Sequence, residues 1–325
     1  MPARRITAVS PDGAFGRELA AALGAVAEVT VDLSGEPGAG PDPALCVIHL
    51  AGELADAPGA PLGRLAGTCP VIAVLPRPDL AAALRVFQAS DRVAGVIAAD
   101  GDEPHVDPRR LAAMAARLVE DDVLGLSRIM APGTQIHACE VGDFRDKARC
   151  MAQLAELAEA ASVPRRLREP IEQCADEMLM NALYDAPVDA RGRHVFAGVP
   201  TRTRILWRTQ HRVLVEYACD GRQLAIAVRD ASGSLARRTV LDHLHKGLHA
   251  AQKVDRKAGG AGLGLYLMAN AATGVHFHVL PGIATEAICT FDLAAPVPRL
   301  AELGFLVQRD PAGRRPAPPA RRIRA

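Results

Sequence analysis

Residues 257–268 read KAGGAGLGLYLM, and the four glycines among positions 259–264 run straight into apolar residues. Each of Gly259, Gly260, Gly262 and Gly264 weakens a helix or strand by up to about 1 kcal/mol relative to alanine. Such a run raises the question of what sits against the backbone that a side chain would exclude. With Leu265, Tyr266, Leu267 and Met268 following, the pattern predicts a glycine-rich turn that enters a helix. Backbone N–H groups there can face an anion, with the positive end of the helix behind them.

Working outward, VRDASGSL (228–235) lies upstream, and DEMLMNAL (176–183) lies further back. The latter falls in a helical pattern, REPIEQCADEMLMNALYDA (168–186), where Glu177 and Asn181 are spaced i, i+4 and share one face. Met178, Leu179, Ala182 and Leu183 define its buried stripe, which leaves the polar pair at the border. An amide oxygen there can complete the oxygen shell of Mg²⁺. A carboxylate one turn earlier can orient or deprotonate an attacking hydroxyl or water. Asp230 ends an apolar strand, where an unpaired carboxylate is costly.

In this order DEMLMNAL, VRDASGSL and GGAGLGL resemble the N, G1 and G2 boxes of the GHKL ATP-binding fold. That family includes histidine kinases, anti-sigma-factor serine kinases, DNA gyrase, the heat-shock chaperone ATPases and mismatch-repair ATPases. The resemblance covers residues 134–295 and implies ATP and Mg²⁺ as cofactors. It implies Glu177 as catalytic base, Asn181 as metal ligand and Asp230 as acceptor of the adenine amino group. Gly260, Gly262 and Gly264 match G-x-G-L-G-L, with Leu263 and Leu265 as apolar anchors. RRTVLDHLHKGLHAAQKVDRK (237–257) matches the lid, in which Lys257, with Lys253 and Arg256, would neutralise the triphosphate. Gly233 belongs to the G1 box, but Ser232 and Ser234 stand where D-x-G-x-G requires glycine. Thr285, in GIATEAICTF (282–291), matches the family's threonine near the base, with Thr290 as a competing register.

The first part of the chain alternates buried strands with helices. RITAVS (5–10), AEVTVDL (27–33), ALCVIHL (44–50), CPVIAVL (69–75) and VAGVIAAD (93–100) read as strands. Helices follow in GAFGRELAAALGAV (13–26), PDLAAALRVFQAS (78–90) and DPRRLAAMAARLVEDDVLGL (107–126), the last with Asp107 as N-cap and Pro108 at its first position. This alternation predicts a doubly wound parallel sheet, flavodoxin- or receiver-like, over 1–126. It resembles a response-regulator receiver domain without the parts for phosphoryl acceptance. Ser10 and Pro11 follow the first strand, only Asp12 nearby is acidic, and the third strand ends in His49 and Leu50.

SRIMAPG (127–133) reads as a linker, and the pattern then changes. A strand (134–141), two long helices, a hairpin around Asp220-Gly221 and a closing strand pair predict an α+β two-layer sandwich of the GHKL (Bergerat) type over 134–295. Residues 296–325 read as a C-terminal extension with a disordered basic tail.

Composition narrows the function classes. The 325 residues are 49% hydrophobic and 23% charged with a formal net charge of +1, so neither nucleic acid nor an acidic membrane is an expected partner. Seven cysteines without a C-x-x-C pair read as reduced thiols in a cytoplasmic protein. No signal peptide or membrane-spanning run is evident. His243, His245 and His249 lack a matching acidic or second histidine pair and read as a polar lid face. No helical hairpin with a phospho-accepting histidine precedes the ATP domain. The expectation is therefore a signalling protein that binds ATP and transfers its γ-phosphoryl to a partner protein, serine-kinase-like. The alternative is a non-catalytic interaction module. A homodimer is compatible with either.

Overall fold

The computed structural model describes residues 5–32, 43–65, 67–99, 105–119, 124–189, 191, 193–196, 212–252 and 263–308. The first half holds β1 (Arg5–Val9), α1 (Gly13–Leu23), β2 (Glu28–Asp32), β3 (Leu45–His49), the short helices α2 (Glu53–Asp56) and α3 (Gly59–Arg64), β4 (Val71–Leu75), α4 (Leu80–Ala89), β5 (Val93–Ala98) and α5 (Pro108–Val119). LCVIH of β3 and VIAVL of β4 are buried along their whole length, as strands covered on both faces must be. Asp12 and Asp79 cap α1 and α4, each accepting two backbone N–H bonds. The strands are parallel in the order β2-β1-β3-β4-β5, the flavodoxin-like arrangement. Phe15, Leu19 and Leu23 of α1 join Leu111 and Met114 of α5 on one face. Leu84, Val86 and Phe87 of α4 cover the other.

The second half continues with β6 (Ile136–Val141), α6 (Phe144–Ala160), α7 (Arg165–Met180), β7 (Val213–Cys219), β8 (Gln223–Asp230), α8 (Arg237–Gln252), α9 (Gly264–Ala271), β9 (Gly274–Leu280), β10 (Ala284–Asp292) and β11 (Glu302–Val307). The β7–β8 hairpin turns at Gly221, φ +85°, and the Asp220 carboxylate accepts the N–H groups of Arg222 and Gln223. Strands β6 to β10 pair antiparallel in the order β9-β10-β8-β7-β6.

One strand departs from the sequence expectation. β11 lies inside the segment read as a C-terminal extension, pairing antiparallel with β5 and parallel with β9. It joins both halves into one 11-stranded sheet. The chain is thus mixed α/β, parallel in its first half and mostly antiparallel in its second. The basic tail beyond residue 308 lies outside the described residues. Among the described residues no helix is long and apolar enough to cross a membrane.

The segment read as a linker is packed rather than free. A 3₁₀ turn at Leu126–Arg128 seats Leu126 and Met130 on Ala218, Ala225, Ala227 and Ile288, on the face of the sheet away from α7. Gly125 N–H donates to the buried Glu286 carboxylate at 3.0 and 3.1 Å, and Leu126 N–H to Glu216 at 3.0 Å. Glu286 also accepts from Arg229 at 2.7 Å and pairs with His278, while Glu302 pairs with His276 and Arg110. Burial alone would raise both carboxyls, but His278 and Arg229 hold Glu286 down, and His276 and Arg110 hold Glu302 down. Burial, with the Arg117 charge nearby, pushes His276 down to about 4.

The cysteine expectation is corrected in one respect. Cys139 of β6 and Cys150 of α6 form a disulfide, with Cα atoms 6.4 Å apart, while Cys46, Cys69, Cys174, Cys219 and Cys289 are free. The pairing arises because α6 folds back beside its own preceding strand, which the spacing of the two cysteines does not disclose.

Candidate functional site

Helix α7 buries Leu167, Ile171, Cys174, Ala175, Met178 and Leu179, leaving Glu177 half-buried at the edge of that stripe. After Met180 the α-helix gives way to a π-helical turn, Asn181–Asp185, closed by Ala186 N–H donating to the Asn181 carbonyl at 2.8 Å. Such turns are uncommon and concentrate at functional sites. Asn181 therefore stands at the break, one turn after Glu177, and its side chain makes no hydrogen bond among the described residues.

The glycine question has a definite answer at Gly264. A Cβ there would lie 2.1 Å from Oε2 of Glu177 and 2.9 Å from its Cδ. Glycine as the first residue of α9 leaves free the space that the Glu177 carboxylate end occupies. Burial raises the Glu177 pKa, Asp176 adds to the rise, and Lys147 opposes it. Lys147, on α6, is itself buried and pairs with Asp176 at 2.5 Å. The sequence reading did not single it out; its only signal is a lysine amid the apolar positions of the α6 pattern. Leu263, expected as an apolar anchor, is 39% exposed, whereas Leu265 packs against the core. The physical reason is position: Leu263 precedes the first turn of α9 and is not on its inward face. Lys257, Gly260 and Gly262, with Lys253 and Arg256, lie outside the described residues.

Asp230 closes β8 on the side that α7 covers, in step with Val228 and Ile226 of the core. Burial raises its pKa, and the bonds from Ser232 act against that rise. Its Oδ1 accepts the Ser232 N–H at 2.8 Å and also the Ser232 hydroxyl. That hydroxyl lies 3.1 Å from the Ser234 hydroxyl, which donates to the Ala186 carbonyl at 3.0 Å. Ser232 and Ser234 thus tie the end of β8 to the π-helical turn.

Thr285 is the direct cross-strand partner of Asp230, so both side chains leave the same face. Its hydroxyl oxygen is buried without a hydrogen-bond partner. Thr290 pairs with Ala225 five positions along and leaves the opposite face, so the competing register is not beside Asp230. Gly233, assigned to nucleotide contact from sequence, has a different requirement. At φ +57°, a Cβ would stand 2.2 Å from the Leu280 carbonyl oxygen and 2.6 Å from the Gly282 nitrogen. Its glycine is fixed by the β9–β10 turn.

Helix α8 is held at two points along its length. Arg237 donates to the carbonyls of Phe87 at 2.7 Å, Ser90 at 3.0 Å and Val93, and stacks 4.8 Å over the Phe87 ring. Further along, a Cβ on Gly247 would meet the Tyr266 Cβ at 2.4 Å, so α8 crosses α9 in close contact there. Arg237 was not foreseen as an anchor, since its partners are backbone atoms of the first half.

In the first half, the carboxyl ends of β1 and β3 bring Ser10 and His49 together, hydroxyl to Nδ1 at 3.2 Å. Burial lowers the His49 pKa, and Asp12 is spent on capping α1. The acidic residues that a phospho-accepting pocket needs do not stand at these strand ends.

Mg·ATP would need oxygen ligands for the metal and a buried acceptor for the base. Glu177 and Asn181 offer unengaged oxygens one turn apart, and Asp230 with the orphaned Thr285 hydroxyl offers buried polar atoms. No family model matches this chain, and no curated protein matches it. Among solved structures, the response regulator DrrB of Thermotoga maritima, an OmpR/PhoB homolog, is similar over 64% of this chain and 89% of its own, at 16% identity and a TM-score of 0.27.

Proposed function

We propose that residues 134–295 form a nucleotide-binding domain of the histidine kinase-like ATPase type, which takes Mg·ATP and passes its γ-phosphoryl to a hydroxyl on a partner protein. The observation that carries this reading is the Glu177 carboxylate, half-buried and seated against the first residue of α9. A base there, with its pKa raised by burial, is suited to take the proton of an attacking hydroxyl. Asn181 would supply an amide oxygen to Mg²⁺, which neutralises charge on the phosphates. Asp230 and Thr285 would hold the adenine end. As the hydroxyl oxygen bonds to the γ-phosphorus, the bond to the bridging oxygen breaks, ADP leaves, and Glu177 keeps the proton.

A second reading has its own observation. The Ser232 hydroxyl already donates to Asp230, the acceptor that the base would need. This favours a module that binds a protein partner and does no chemistry. Equilibrium titration with a fluorescent ATP analogue, with and without Mg²⁺, followed by partner capture with and without nucleotide, separates the two. Mg²⁺-dependent binding supports the first; capture unaffected by nucleotide, with no ATP binding at millimolar concentration, supports the second.

A further inference from the structure

Histidines 245 and 249 stand one turn apart on α8, both exposed, with their Nε2 atoms 3.1 Å apart. The rings meet edge to face, centroids 4.3 Å apart at 71°. This separation matches the bite of a metal chelate. Zinc–imidazole bonds of about 2.0–2.1 Å place two ligand nitrogens about 2.9 Å apart at a right angle and about 3.3 Å apart at the tetrahedral angle. We propose that His245 and His249 form a binding site for a first-row transition-metal dication, of the Zn²⁺, Ni²⁺ or Cu²⁺ class, on the outer face of α8. The sequence placed these histidines on a merely polar face because spacing alone does not show that both rings turn inward to each other.

The surroundings define the kind of site. Asp242, one turn before His245, is drawn to Arg238 at 3.6 Å, and no cluster of three ligand side chains exists among the described residues. Two imidazoles therefore supply the protein ligands and water completes the shell. Two nitrogen donors select borderline transition metals against Mg²⁺, which takes oxygen ligands. The site is thus chemically distinct from Asn181 and stands or falls independently of the proposed nucleotide chemistry. Whichever ring donates across the 3.1 Å contact, its Nε2 proton leaves on metal binding, to solvent or to Nδ1 of the same ring, so that both Nε2 lone pairs face the metal. The pair lies about 200° around the helix from Gly247, so a bound cation would not disturb the crossing with Tyr266. It would staple the last turns of α8 and stabilise them by mass action.

The test is calorimetric titration of the full-length chain with Ni²⁺, and separately Zn²⁺, in metal-free buffer. Three variants accompany it: His245→Gln, His249→Gln and, as control on the same helix, His243→Gln. The wild type should bind one equivalent. Loss of either ligand turns a chelate into a single donor and should weaken binding about a hundredfold. His243→Gln should bind as wild type does, and Mg²⁺ in excess should not compete. A rise in Tm with Ni²⁺ for wild type and His243→Gln, absent in the other two, gives a second readout. Equal affinity in wild type, His245→Gln and His249→Gln would place the metal elsewhere and overturn the proposal, as would no binding at millimolar metal.

Discussion

The Glu177 carboxylate fills the volume that a side chain on Gly264 would need, with Oε2 2.1 Å from the ideal Cβ position. Two segments far apart in sequence thereby come together: glycine at 264 admits the carboxylate end, and any side chain there would oblige Glu177 to move aside. Packing of α7 on α9 and the proposed chemistry meet at this one contact.

Gly264→Ala should displace the half-buried Glu177 carboxylate, and because that flexible end can rotate away the loss should stay near or below about 1 kcal/mol, the low end of overpacking costs. In a Glu177→Ala background the same substitution should cost much less, because the clashing atoms are gone. A double-mutant cycle by urea denaturation measures that coupling. Additive effects would mean that the contact does not form.

Glu177→Gln should stabilise the fold and, under the proposed function, abolish phosphoryl transfer. Burial raises the Glu177 pKa in the native state, so its contribution favours folding below the unfolded-state pKa and is lost as pH rises through the folded one. At neutral pH the wild type holds an ionised group where its neutral form is preferred, a cost that glutamine avoids. The stability gap should therefore widen from pH 4 to pH 7, with a modest gain because the group is half-exposed. Thermal denaturation at both values checks it, and a variant less stable than wild type at pH 7 would contradict it.

The parallel half was legible because β3 and β4 are unbroken apolar runs and their neighbouring helices announce their caps, Asp12 and Asp79, in the sequence. The face shared by Glu177 and Asn181 was legible for the same reason: helical spacing is local. β11 was not, since ELGFLV becomes a seam only when β5 and β9 stand on either side of it. Nor were the hold of Ser232 on Asp230, the Lys147–Asp176 pair or the reach of Arg237 to three carbonyls. Each depends on a side-chain direction or a neighbour that tertiary folding supplies. The glycine run shows the boundary well: a close approach to the backbone at Gly264 was readable, and that Glu177 makes it was not.

Gly233→Ala should cost about 2–4 kcal/mol, combining a left-handed backbone with a collision against backbone atoms that cannot rotate away. Gly221 is the control, at φ +85° with nothing within 4 Å of its Cβ position. Gly221→Ala should cost only the conformational part, about 1–2 kcal/mol. Equal losses for the two in urea titrations would show that the β9–β10 turn yields to the added methyl.

Arg237→Gln should loosen α8 from the first half. Three carbonyls lose a charged donor, and breaking such a part-buried network typically costs about 2–4 kcal/mol. The loss should appear locally as well as globally. Hydrogen exchange of amides in α8 and in the segment joining α4 to β5 should accelerate together, while β7 and β8 keep their protection. Faster exchange in α8 alone would mean that the anchor serves the helix and does not couple the halves.

Asp230 and Ser232 give the sharpest test of the nucleotide reading, because the two residues compete. The Ser232 N–H and hydroxyl both donate to Asp230 Oδ1, so in the free protein the carboxylate is already partly satisfied. Removing the hydroxyl by Ser232→Gly would, under the proposed function, free acceptor capacity for the adenine amino group. ATP binding should tighten by about 0.5–1.5 kcal/mol, the net worth of one hydrogen bond. Asp230→Asn should weaken it by about 1.5–3 kcal/mol, the range for a bond to a charged group. GTP carries an oxo group where adenine has its amine, so wild type and Ser232→Gly should reject GTP, two acceptors facing each other unpaired. Asp230→Asn should narrow that preference, since its amide can turn a donor to the guanine oxygen. Competition titrations of ATP against GTP on the three proteins decide the matter. Equal binding of both nucleotides by wild type would show that Asp230 does not read the base. Binding of neither by wild type but of ATP by Ser232→Gly would assign the block to the serine hydroxyl and leave the rest of the pocket standing.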